Sequence, residues 1–221
     1  MTPDNENYES FTGQPGEGLV LPPWENRSRY GFLNALYLTI KDVLLSPAQF
    51  FARMPSRIGL TQPLLFAVVV NVVSAFFLWM WALAGSSLQM FIAEDIADIV
   101  EAPFIYGIIF VLSPVIAVVD VFLTAGLSHL CLILVGGNRL GFETTFRVMA
   151  YSSAVYIMTL VPFCGSIIAL IWGIAIIIIG LQRAHDTDTW RAVLAVFLPL
   201  ILCIITCSGF GLLVFGFNNL F

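Results

Sequence analysis

The stretch GGNRLGFETTFRVMAY, residues 136–151, lies between two long apolar runs and decides how the chain is read. It carries Arg139 and Arg147, two of the nine Lys and Arg residues, and Glu143, a carboxylate isolated between Asp120 and Asp186. Gly136 and Gly137 predict the end of one helix, where a residue free to take positive φ is needed. Phe142 to Thr145 predict the start of the next, with Glu143 placed where the helix dipole favours negative charge. The spacing therefore predicts a short polar turn joining two membrane helices.

Composition supports that reading. The 221 residues are 59% hydrophobic and 10% charged, with mean hydropathy +0.95, whereas a soluble domain carries roughly 25% charged residues. Several runs reach the ~20 apolar residues that cross a bilayer as a helix. Runs such as IWGIAIIIIG, residues 171–180, lack the alternation of a barrel strand. The predicted class is an all-α polytopic membrane protein, a five-helix transmembrane bundle with N-terminal amphipathic interfacial helices. The net charge of −5 comes mostly from two acidic patches. No basic tract interleaved with aromatics is present, so nucleic acid is not an expected partner. The polar, Pro/Gly-rich start is not expected to act as a cleavable signal. Cys131, Cys164, Cys203 and Cys207 form no CxxC pair, so no zinc ribbon, redox motif, metal or cofactor is expected.

Residues 1–29 combine Pro, Gly and acidic residues and are predicted to be a disordered cytoplasmic tail ending at Pro22-Pro23-Trp24-Glu25. Trp24 is expected at the membrane interface, with docking as the alternative. Residues 30–57 are predicted to hold two amphipathic helices lying in the interface plane. The first carries Leu33, Leu36, Tyr37, Ile40, Val43 and Leu44 on one face. Ser46-Pro47-Ala48-Gln49 predicts a capping box opening the second, which carries Phe50, Phe51 and Met54. Lys41, Arg53 and Arg57 are expected toward headgroups. Residues 62–217 form the expected five-span domain, with spans near 63–85, 104–135, 146–163, 167–182 and 190–217. An acidic interfacial helix is predicted over residues 88–101, and a bend at Pro114 is one way to fit the long second span.

All nine Lys and Arg residues fall on one side of this five-span layout. The positive-inside rule then predicts a cytoplasmic N-terminus and an external C-terminus. Thr145-Phe146-Arg147 and Thr189-Trp190-Arg191 both open a span, an echo too short to be a repeat.

Asp120 falls mid-span, where a charge is costly and usually functional. Ser113, Ala117, Asp120, Thr124, Ser128 and Cys131 recur at helical spacing as a small, polar stripe. Asn71 and Ser74 in the first span, and Ser152 and Tyr156 in the third, are placed to reach it. Asp120 is read either as a proton or cation site or as a hydrogen-bonded packing residue. At the cytoplasmic rim gather His129, Glu143, Arg147, Arg183, His185, Asp186 and Asp188. Their spacing matches no metal-ligand motif, and a buried Glu143–Arg147 pair at i, i+4 is the expectation. Cys203 and Cys207 are expected as buried thiols; a Cys164–Cys207 disulfide is the weaker alternative. No Ser/His/Asp, Cys/His or phosphate-loop constellation is present, so no catalytic residue and no enzyme is expected.

The chain resembles bacterial members of the YIP1 family of five-span membrane proteins. The resemblance rests on Pro23-Trp24-Glu25, LTIKDVLLSPAQFFARMP (residues 38–55) and Pro63-Leu64. It continues with His129, Gly136-Gly137, Phe142 to Phe146, Tyr151, Pro162 with Gly165, and Gly180-Leu181 with His185. It implies a helical bundle with a cytoplasmic N-terminus and supplies no catalytic residues. Eukaryotic relatives act in vesicle traffic, bind small GTPases and form hetero-oligomers. The expected function is a non-enzymatic scaffold or adaptor of the bacterial inner (cytoplasmic) membrane. Its expected partners are membrane lipids, proteins at the cytoplasmic face, and copies of itself or other chains. The alternative is a small transporter, channel or lipid-moving protein built around Asp120.

Overall fold

A computed structural model describes residues 20–89, 96–199 and 201, and every element in it is helical. A 3-10 turn, Pro23–Asn26, leads into the short helix α1, Arg27–Tyr30. Then follow α2, Phe32–Leu45; α3, Pro47–Arg53; α4, Thr61–Gln89; and α5, Ile96–Leu134. The last group is α6, Phe142–Ser152, a 3-10 segment Ser153–Leu160, α7, Gly165–His185, and α8, Thr189–Pro199. Segments Thr61–Ser87, Ala102–Leu134 and Gly165–His185 are each long and apolar enough to cross a membrane.

The third predicted span takes a different form. It begins as α6 and tightens into a 3-10 segment of 8 residues, where runs beyond 3–4 are uncommon. Together the two pieces rise about 32 Å, close to the ~30 Å hydrocarbon core. The second predicted span lies within a longer helix. α5 runs unbroken for 39 residues through Pro103 and Pro114. It absorbs Ile96 to Glu101, so these residues do not form a separate acidic helix. The calls for Cys203, Cys207 and most of the fifth span lie outside the described residues, as do residues 1–19 and 90–95.

The tail expected through residue 29 is corrected at its end. Trp24 is fully buried. Its backbone N–H donates to Thr39 Oγ1 (2.9 Å) and its indole N–H to the Gln62 carbonyl (2.8 Å). The Arg27 guanidinium stacks 4.5 Å from the ring centroid. Polar composition argued for disorder, but one large aromatic ring can hold a short segment when its N–H finds a partner.

The two N-terminal helices pack on the bundle rather than standing apart from it. On α2, Ala35, Thr39, Val43 and Leu44 are buried, while Leu33 and Tyr37 of the predicted apolar face are 76% and 62% exposed. Trp172 of α7 donates its indole N–H to the Leu44 carbonyl (3.1 Å). Trp172 stands about 20 Å along α7 from His185, at ~1.5 Å per residue. The α2–α3 hairpin therefore runs alongside α7 instead of keeping to its end. Phe51 of α3 closes against Gly180, where an added Cβ would meet it at 3.1 Å. Ser46 makes no side-chain cap bond, so the predicted capping box is absent and Pro47 alone marks the helix start.

Asp42 shows what this packing costs. Burial raises its pKa from 3.8 to about 6, against a smaller opposing effect of Lys41. The native state thus holds this proton more tightly than the unfolded chain. Stability from this group is complete below pH 4 and is lost as pH rises through about 6. Melting in detergent should therefore show a decline of about 1–2 kcal/mol between pH 4 and 7, allowing for partial solvent screening. Asp42→Asn should flatten it; an unchanged slope in that variant would rule the assignment out.

Candidate functional site

One end of the bundle is built around the turn at residues 136–141. Gly136 takes φ +67, and its carbonyl accepts from Arg191 of α8. Arg139 reaches Asp186 (3.4 Å) across the same rim. α6 then enters the core almost whole, with every residue from Thr144 to Ser152 buried.

Arg147 is fully buried. Its guanidinium pairs with the Glu25 carboxylate and donates to the Gly59 carbonyl (3.0 Å). Tyr151, one turn on, donates its hydroxyl to the same Glu25 oxygen. The side-chain exposure of Glu25 is 5%, so both charges are out of water. The expected Glu143–Arg147 pair is not formed. Glu143 accepts instead from the Gly59 N–H (2.6 Å). A half-buried carboxylate one turn away is a poorer counter-ion than one delivered into the core, where each charge must be matched. Aromatic contacts carry the lock into the bundle. Trp24 meets Phe66 (5.7 Å), Phe66 meets Tyr151 (5.2 Å), and Tyr151 meets Phe50 (5.3 Å).

His129 and His185 meet through Thr145, each ring 2.9 Å from its hydroxyl. The Leu140 N–H donates to His185 Nδ1 (3.4 Å). With His185 neutral, its Nε2 then carries the proton and donates to Thr145, while the Asn138 side-chain amide stands 3.5 Å from His129 Nε2. One hydroxyl thus holds three elements, α5, α6 and α7, in register. Arg183 is exposed and takes no part in that cluster. Among the described residues, no three His, Cys, Asp or Glu side chains converge as a metal site requires.

Asp120 is half-buried and lines a cavity of about 160 Å³ with Thr124, Ser152, Ser153 and Tyr156. Of the predicted stripe, Ser113, Ala117, Ser128 and Cys131 are buried, whereas Thr124 is exposed and bonds its own helix at the Asp120 carbonyl (2.7 Å). Asn71 also bonds within its own helix, to the Ala67 carbonyl (2.9 Å). It faces Ser113 across a neighbouring groove rather than reaching Asp120. Ser74 pairs with Thr159 (2.8 Å).

The Yip1 domain matches residues 41–210. The chain belongs to the Yip1 family. No curated protein and no solved structure matches it. The Yip1 match begins after Trp24 and Glu25, yet these two residues supply the ring and the carboxylate that close the core of the domain. Sequence reasoning missed Glu25, Tyr151, Thr145 and Gly59 as partners. The available signal was Arg147 itself, an Arg in a helix due to be buried, and Glu143, four residues earlier, offered it a nearer answer.

Proposed function

We propose that this Yip1 protein is a five-span, non-enzymatic scaffold or adaptor of a bacterial cytoplasmic membrane. In this reading the N-terminus is cytoplasmic, the C-terminus external, and the arginine-bearing rim is the working face. One observation carries the proposal: polar contacts between distant segments tie the rim together. The Glu25–Arg147–Tyr151 lock, the His129–Thr145–His185 bridge and the Arg139–Asp186 pair tie the entry segment, α5, α6 and α7 together at one end. Such order suits recognition, since a preformed surface loses little freedom when a partner binds. The second reading, transport or movement of a lipid through the Asp120 region, is favoured by the cavity beside that carboxylate.

Single-cysteine variants at exposed Asp186 and exposed Ser87 test orientation and role together. An impermeant thiol reagent applied outside should label the Ser87 variant and spare the Asp186 variant. A photo-crosslinker on Asp186→Cys should capture one reproducible protein set that Ser87→Cys does not. External labelling of Asp186→Cys would refute the orientation. Identical crosslinks from both ends would refute the working-face reading.

A further inference from the structure

The 3-10 segment after α6 does something that an α-helix could not. At 3.0 residues per turn, positions i, i+3 and i+6 stack in one row. Ser153, Tyr156 and Thr159 occupy those positions. In an α-helix the same three would fan around the axis at ~100° per residue. Ser153 and Tyr156 line the Asp120 cavity. Tyr156 and Thr159 line the next groove, about 390 Å³, with Asn71, Ser74 and Ser113. The two spaces share Tyr156, Ala169 and Leu170. Measured along α7 from Ser166 to Ile177, they cover about 16 Å of the bundle.

Two groups in the inner cavity lack partners. No hydrogen bond reaches the Asp120 carboxylate among the described residues, and none of the residues lining the cavity is Lys, Arg or His. Ser152 is 3% exposed, and its buried Oγ has no hydrogen-bond partner. The half-buried Asp120 carboxylate is free to accept from a cation that brings N–H donors. The remaining wall is apolar, including Val155, Leu170, Ile174 and Ile177. Such a wall favours an organic cation over a hydrated metal ion.

We infer that the Asp120–Ser152–Tyr156 cavity binds a primary ammonium group, with the rest of the ligand lying in the adjoining groove. An aminophospholipid headgroup and a free small amine share that chemistry. Asp120 accepts two of the three N–H donors as charge-assisted bonds, and the Tyr156 hydroxyl accepts the third.

The test uses the full-length protein in nanodiscs and in detergent. Native mass spectrometry compares retention of phosphatidylethanolamine with phosphatidylcholine, whose quaternary nitrogen has no N–H. Thermal shift compares ethanolamine, tetramethylammonium and sodium chlorides. The expected result is about tenfold or greater preference for the N–H-bearing ligand, reduced by Asp120→Asn and by Tyr156→Phe without a change in melting. Preference seen with the phospholipid alone assigns a headgroup; stabilisation by ethanolamine alone assigns a free amine. Equal effects of tetramethylammonium or sodium would overturn the inference. So would the absence of any preference in the wild type, a comparison that needs no variant to fold. None of these readouts depends on a protein partner at the rim, so the scaffold reading stands or falls separately.

Discussion

Arg147→Ala should lower the stability of the detergent-solubilised protein by about 3–5 kcal/mol, the usual cost of removing one member of a buried ion pair. The loss has an identified source. Glu25, with side-chain exposure of 5%, would lose its counter-ion, and the Gly59 carbonyl would lose its donor. Glu25→Ala should be comparably harmful, because Arg147 is fully buried and would be left charged and unpaired. Replacing both with Leu should recover part of the loss, since two well-packed apolar residues need no desolvation of charge. Recovery stays incomplete because the Tyr151 hydroxyl also loses its acceptor, at about 1–3 kcal/mol. Thermal melting measures these losses. Limited trypsin digestion at Arg27 and Arg29 separates release of the entry segment from global unfolding. An Arg147→Ala protein that melts with the wild type and resists trypsin equally would falsify the lock.

Gly165→Ala should be at least as damaging for its size. An added Cβ would stand 2.1 Å from the Met158 carbonyl oxygen and 3.1 Å from Thr159 Cα. Both are backbone atoms, so no rotamer change relieves the clash. The 3-10 segment and α7 would have to separate, and with them the row Ser153–Tyr156–Thr159. A loss above about 3 kcal/mol is expected, beyond the range in which flexible side chains absorb an extra methyl. Gly126→Ala is the control. Nothing lies within 4 Å of its added Cβ, so the change should be neutral or slightly stabilising, because Ala is the better helix former. Equal melting of the two variants would mean that α7 does not meet the 3-10 segment at Gly165.

Much of the architecture was legible because it follows from local composition. The long apolar helices show as runs, since a lipid-facing helix needs no polar face and the run itself is the signal. The turn at residues 136–141 shows because two glycines and a restart of helical pattern are local marks. The role of Trp24 and Glu25 was not legible. Their neighbours in sequence are polar and Pro-rich, and their partners Thr39, Gln62, Arg147 and Tyr151 lie far along the chain. Which residues of the apolar face of α2 meet the bundle was not legible for a related reason. In a membrane protein an exposed Leu33 or Tyr37 is no penalty, so apolar periodicity does not tell core from lipid.

The sequence by itself determined the medium, the helical class and the crowding of Arg and Lys toward one set of loops. Each is a sum over neighbouring residues, and hydrophobic length and charge bias need no partner to be read. Only the tertiary structure decided which carboxylate meets Arg147. It also decided that α2 and α3 run beside α7, and that the chain tightens from α to 3-10 after Ser152. Those outcomes depend on contacts between residues distant in sequence, where a buried charge takes whichever counter-ion the packing delivers and a helix takes the pitch its neighbours leave room for.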